Sequence, residues 1–331
     1  MSEELLVTAR DNALIDPSLH IWTWEVAMYL FLGGMTAGVM IFAATMAILK
    51  KDDEAPFAST RLALLAPIVL SLGMTTLFLD LEHKLFVFRF YTSFQIASPM
   101  SWGAWILVFI YPVSILQILS TLRRGYPTVA LISDRVAMGR RITDWCEWHR
   151  QEISTVAIPF GVALGIYTGI LLSAFGARPF WNSGVLGPLF LISGLSSAAA
   201  LVALISRHKR EKELFTRIDL VLVAGELLLV ALFLVNLATG SGQQIEALQS
   251  VMGGSYTLVF WVLFVGVGLL IPMLLELLEI RGIGKSLAML APVLVLFGGY
   301  VLRQVVLDAG QESSWTNYPT QYNSELLQRL E

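Results

Sequence analysis

Apolar runs long enough to cross a bilayer alternate with short polar connections along almost the whole chain. A spanning helix needs about 20 mostly apolar residues. Eight segments reach that length: 24–49, 61–81, 100–122, 152–175, 184–206, 218–239, 255–280 and 286–307. The expected fold is all-α, with eight transmembrane helices forming one membrane domain over 24–307. A polar segment, 1–23, precedes it and a tail, 308–331, follows. The connection 82–99 departs from the pattern. It is too apolar and aromatic for an ordinary loop, so it is expected to lie along the membrane interface or to re-enter it. Glycines four residues apart, Gly34 and Gly38, then Gly161, Gly165 and Gly169, mark close helix approach. Pro159 and Pro272 are placed to kink their helices.

Basic residues fall unevenly on the two sides of this scheme. The connections after the first, third, fifth and seventh segments carry the Lys and Arg clusters, for example Arg123, Arg124, Arg135, Arg140 and Arg141. The opposite side has only Arg10, Lys84, Arg89, Arg178 and Arg329. Positive connections stay on the cytoplasmic side. Both termini are therefore expected outside, in a bacterial or archaeal cytoplasmic membrane. Segment 1–23 lacks the apolar core of a signal peptide, so the first span is expected to direct insertion.

Composition agrees: 56% of the 331 residues are hydrophobic and 14% charged, which excludes an ordinary soluble enzyme. A net charge of −3 gives no reason to expect nucleic acid. One cysteine, Cys146, cannot form an internal disulfide or hold an iron–sulfur cluster alone. The four histidines, His20, His83, His149 and His208, all lie outside the deep parts of the apolar segments, so no haem is expected. No metal site is expected either.

Ionisable groups at the edge of a span are costly and tend to mark function. Asp80 and His83 close the second segment three residues apart, a spacing that puts both on one helix face. They are the candidate catalytic pair, able to exchange protons with a small molecule arriving through the lipid. A salt-bridged helix end is the plainer alternative. His20, Glu25, Arg89, Tyr167, Arg178 and Arg303 are expected at the same outer level. Arg303 reads equally well as a structural partner for a carboxylate, and His20 as an interfacial histidine without a task. Trp22, Trp24, Trp102, Trp105 and Trp181 read mainly as an interfacial belt. Toward the other side, Glu226 and Glu276 are candidates for a proton path, while Asp219 and Glu279 read as water-exposed helix ends.

The segments WEVAMYLFLGGMTAG (24–38), LDLEHK (79–84), SPMSWGAW (98–105), YTGILLS (167–173), RPFWN (178–182) and LFGGYVLRQVVLDAGQ (296–311) resemble the NrfD/PsrC family, the quinone-interacting membrane subunits of polysulfide-reductase-like complexes. The resemblance implies an eight-helix fold without haem or an iron–sulfur cluster of its own. It implies a menaquinone or ubiquinone pocket near the outer face, drawing on Asp80 and His83, then Tyr167 and Arg178. It also implies a docked ferredoxin-like iron–sulfur subunit, with a molybdopterin enzyme or multihaem cytochrome beyond. The competing readings are a secondary transporter or ion-translocating subunit, and a purely structural anchor. Transporters place their site near the midplane between inverted repeats, whereas the polar cluster here gathers at one face.

Overall fold

The computed structural model describes residues 21–92, 94–283 and 289–313. Among these, the chain is helical with no strand, and eight helices are long and apolar enough to cross a membrane. The protein is a multi-pass membrane protein. The spans are α1 (Trp24–Ile48), α2 (Leu65–Asp80, led in by a 3₁₀ turn over Leu62–Leu64), α3 (Pro99–Leu119), α6 (Arg150–Ser173), α7 (Leu186–Ile205) and α8 (Lys209–Ala238). The seventh span is a π-helix over Val259–Leu270 continued by α10 (Ile271–Ile280), and the eighth is α11 (Leu290–Glu312). Between the spans lie α4 (Pro127–Ser133), α5 (Ala137–Trp148) and α9 (Gly242–Met252).

α1 stands at the centre, packed against α2, α6, α7 and α11. Its glycines explain why it can. A Cβ added at Gly38 would come within 2.6 Å of the Gly194 carbonyl and the Ala198 methyl, so α1 and α7 touch backbone to backbone. Gly161 and Gly165 of α6 give the same close approach to Ala37 on another side of α1. Without a hydrophobic drive between helices in lipid, this small-residue packing is what holds spans together. α3 packs on the outside of α6, and the seventh span on α11, where Gly268 faces Gly298.

Two boundaries differ from the sequence pattern for a shared reason. α8 begins at Lys209, nine residues before the apolar run, and α11 continues to Glu312, five residues beyond it. Charged and amide side chains do not end a helix; long ones keep their head groups in the polar zone while the backbone continues. The seventh span adds a wider winding. Its π-turns run to Ile271, whose N–H bonds to the Gly266 carbonyl, and Pro272 then opens α10 from a first-turn position.

Candidate functional site

A cavity of about 490 Å³ lies between α1, α2, α3 and α6, at the arginine-poor end of the bundle. The volume is in the range of ordinary small-molecule sites. Its wall is mainly apolar, with Met74 and Leu77 from α2, Met100 and Leu107 from α3, and Leu171 from α6. The polar groups on it are few: Asp80, Tyr29, Tyr91 and Tyr167, with Trp22 at the mouth of α1. Among the described residues, neither the Asp80 carboxylate nor the three tyrosine hydroxyls make a hydrogen bond to protein. They are a set of donors and an acceptor with unused capacity. Tyr91 lies in a short helix, Arg89–Thr92, of the connection between α2 and α3, and burial pushes its phenol up, so it remains a donor.

A second, more open chamber of about 600 Å³ adjoins the first. It is lined by Asp80, Glu82, His83, Arg89, Gln95 and Ser98, among others. Asp80, Leu81 and Met100 line both spaces. Asp80 thus stands on the shared wall, with the apolar cavity on one side and a more open vestibule bordered by charged residues on the other.

His83 reaches the vestibule by a different route from the one its spacing predicts. α2 stops at Asp80, Leu81 is extended and His83 lies beyond the helix, so the two side chains do not share a helical face. His83 is exposed and meets Phe86 edge-on, with ring centroids 6.3 Å apart. Arg89 caps the same ring, 4.5 Å from its centroid. Glu25 is half-buried at the start of α1, accepts a hydrogen bond from the Thr23 hydroxyl and is close enough to Asp80 to interact electrostatically. His20 lies outside the described residues.

Tyr167 is buried and depends on a glycine. A Cβ at Gly103 would overlap the end of the Tyr167 ring, so α3 must pass the ring with no side chain at that position. Trp22 is fixed from the far end of the chain. The Gln311 carbonyl oxygen accepts from the N–H groups of Ile21 (3.1 Å) and Trp22 (2.9 Å), and its amide donates to the Trp22 carbonyl (2.8 Å). Trp22 then stacks on Trp181 at 5.6 Å. Trp181 is no belt residue. It is buried, and its indole N–H donates to the Val306 carbonyl at 2.7 Å.

Arg178 and Arg303 do not line these two cavities. Arg178 is buried and donates to the carbonyls of Gln311 (3.1 Å) and Ser313 (2.8 Å), satisfying the orphan carbonyls at the end of α11. It therefore supports the residue that holds Trp22. Arg303 lies nine residues from the end of α11, about 14 Å at helical rise. That is deeper than the outer level expected from an α11 ending at 307. It donates to the Ser193 hydroxyl at 2.5 Å, the Phe190 carbonyl at 3.0 Å and the Gly299 carbonyl at 2.9 Å.

Arg303 opens a second polar group, between α7, α8, α10 and α11. Glu226 lies beside Ser193 and interacts with Arg303. Two turns along α8, Asp219 accepts from the Ser196 hydroxyl at 2.6 Å and lies close enough to Glu276 to interact electrostatically. Asp219 is buried, not water-exposed, because α8 starts ten residues before it. Glu279 borders an open recess of about 370 Å³ at the arginine-rich end, with Lys212 and Arg217. Carboxyls thus follow one another from Glu226 through Asp219 and Glu276 to that recess.

The residues missed by sequence reasoning are Trp22 as a cavity residue, Tyr29, Tyr91, Gly103 and the clasp residue Gln311. An aromatic at the head of an apolar run carries no sequence signal that separates belt or core from a cavity wall.

A family model described as NrfD, polysulphide reductase, matches residues 14–313. Protein NrfD of Escherichia coli is 31% identical over 313 residues, covering 88% of this chain and 95% of that protein. A polypeptide of the polysulfide reductase of Wolinella succinogenes is 28% identical, over 88% of this chain and 94% of its own length. A subunit of the selenate reductase of Mesobacillus selenatarsenatis is 24% identical, over 94% and 79%. With the likeness running from before the first span to the end of the last, the chain belongs to the NrfD, polysulphide reductase, family.

Proposed function

We propose that the 490 Å³ cavity is a quinone/quinol site and that the chain is the quinone-reactive membrane subunit of a respiratory oxidoreductase complex. The observation that carries this reading is the position of Asp80 on the wall shared by an apolar cavity and a more open vestibule bordered by Glu82, His83 and Arg89. Interconverting a quinone and its quinol moves two electrons and two protons, so the ring oxygens need partners that can give and regain a proton. A positioned side chain must be within hydrogen-bond reach to do this. Tyr29, Tyr91 and Tyr167 can hold the ring by hydrogen bonds, while Asp80 exchanges the proton with the vestibule of Glu82, His83 and Arg89.

Electrons are assigned to a partner, because the sequence has one cysteine and no histidine pair within a span. The partner fitting this chemistry is a ferredoxin-like iron–sulfur subunit docked over the vestibule, on the outer face, with a molybdopterin enzyme or multihaem cytochrome beyond it. The relatives named as parts of a polysulfide reductase and a selenate reductase support a place in a reductase complex. The same groups serve quinol oxidation and quinone reduction.

The test is Asp80→Asn in the assembled complex. Quinone-linked turnover is expected to fall at least a hundredfold, within the range for a lost general acid–base group, while the subunits still co-purify. Native turnover in that variant would remove Asp80 from the reaction. An intact rate in both Asp80→Asn and Tyr167→Phe would remove the cavity as the site.

A further inference from the structure

We propose that the helical hairpin α4–α5, between the third and fourth spans, is a binding face for anionic phospholipid headgroups. Both ends of the hairpin are tied to spans. It follows α3 within a few residues, and α5 runs directly into α6 at Arg150. Its four charged residues, Arg140, Arg141, Asp144 and Glu147, keep α5 out of the hydrocarbon. The hairpin therefore sits at the boundary zone, at the arginine-rich end of the bundle.

The orientation of α5 is fixed by two contacts. Thr143 and Cys146 are buried against the spans. Arg123, in the short helical turn Leu122–Gly125 that follows α3, gathers the charged edge, donating to Asp134 (2.8 Å), Asp144 (2.7 Å) and Glu147 (3.0 Å). With those two sides occupied, the remaining stripe faces away from the protein. It holds Met138, Ile142 and Trp145, spaced four and three residues apart and so on one face. Leu131 of α4 is exposed as well. Leu131 and Met138 are 67% and 66% exposed.

Arg135 and Arg141 lie beside this stripe, and among the described residues neither forms an ion pair. An apolar stripe with tryptophan, bordered by unpaired arginines, matches the layered chemistry of an anionic lipid surface. Apolar side chains enter the acyl boundary, and guanidinium groups meet phosphates. A water-soluble protein partner would satisfy the apolar stripe, but the boundary position and the two free guanidinium groups favour lipid.

The experiment uses the full chain in nanodiscs of phosphatidylcholine alone and of phosphatidylcholine mixed with phosphatidylglycerol. Amide hydrogen exchange is followed in peptides covering 127–148. Exchange there is expected to be several-fold slower in the anionic discs, with the peptides of α1 and α7 unchanged as a folding control. An Arg135→Gln, Arg141→Gln double variant is expected to lose the difference between the two lipids and to retain less phosphatidylglycerol in native mass spectrometry. Equal exchange of the native chain in both lipids would overturn the proposal. So would protection that appears only when a partner subunit or a second copy of the chain is added, which would assign the face to protein.

Discussion

Gly103 of α3 lies directly against the ring of Tyr167 of α6, so close that no other residue fits there without moving the tyrosine. This makes the position of the cavity hydroxyl depend on a residue that carries no chemistry. Gly103→Ala should displace the Tyr167 ring at an overpacking cost of about 1–3 kcal/mol. If the cavity binds quinol, the apparent KM for a quinol analogue should rise roughly tenfold or more, since each 1.4 kcal/mol is a factor of ten. Tyr167→Phe keeps the ring in place and should lower turnover with a smaller effect on KM. Steady-state kinetics of the assembled complex separate the two, and identical kinetics for native and Gly103→Ala protein would show that the ring position is immaterial.

The clasp between Gln311 and Trp22 joins the two ends of the membrane domain beside the cavity mouth. Gln311→Ala removes three hydrogen bonds to backbone and leaves partly buried N–H groups without partners. A loss of about 1–3 kcal/mol is expected. Thermal unfolding in detergent should show a lower midpoint, and the fluorescence of the stacked Trp22–Trp181 pair should shift. Arg178→Gln should give the same spectral change, because Arg178 holds the turn that carries Gln311. An Arg178 variant with native fluorescence would separate the two residues.

Much of this architecture can be read from the chain, and the failures have physical causes. The eight spans are legible because a bilayer sets their length and leaves few alternatives. Asp80 is legible because a carboxylate ending an apolar run has no cheap explanation. The relation of Asp80 to His83 is misread because helical spacing holds only while the helix lasts, and α2 ends at Asp80. Asp219 is misread because hydropathy marks where the apolar run starts, whereas α8 starts earlier, among charged residues. The π-winding of Val259–Leu270 leaves no trace, since a uniformly apolar run looks the same at either winding. Tyr29 and Gly103 take their roles from contacts between spans far apart in sequence, which no local pattern encodes.

At the arginine-rich end, Asp52 draws together the ends of three spans. It accepts from Arg150 at 2.8 and 3.0 Å and from Arg124 at 2.7 Å. Hydrogen bonding from Arg150 holds its carboxyl below the usual carboxylate range. A carboxylate with a depressed folded pKa stabilises the fold above its unfolded pKa, about 3.9 for Asp. That stability is lost as pH falls through the lower, folded value. The native protein should therefore hold its unfolding midpoint to about pH 4 and lose it steeply below. Asp52→Asn should start from a lower midpoint at neutral pH and show a shallower acid decline. Parallel acid limbs in the two proteins would mean that Asp52 is not part of the acid transition.

Glu226 offers a separate test of whether the buried carboxyls conduct protons or Glu226 only offsets the charge of Arg303. The two roles respond differently to two substitutions. Glu226→Leu leaves the buried Arg303 without a carboxylate nearby, and removing the countercharge of a buried cation is strongly destabilising. Poor assembly is therefore expected, and it would say nothing about protons. Glu226→Gln keeps the shape and a polar contact to Ser193 but cannot cycle a proton. If Glu226, Asp219 and Glu276 form a path to the recess at Glu279, Glu226→Gln should preserve quinone-linked turnover and abolish acidification or alkalinisation by sealed proteoliposomes. Glu276→Gln should act in the same direction, because it removes the titratable carboxyl next to Asp219. Turnover coupled to an undiminished proton signal in both variants would return Glu226 and Glu276 to a structural role.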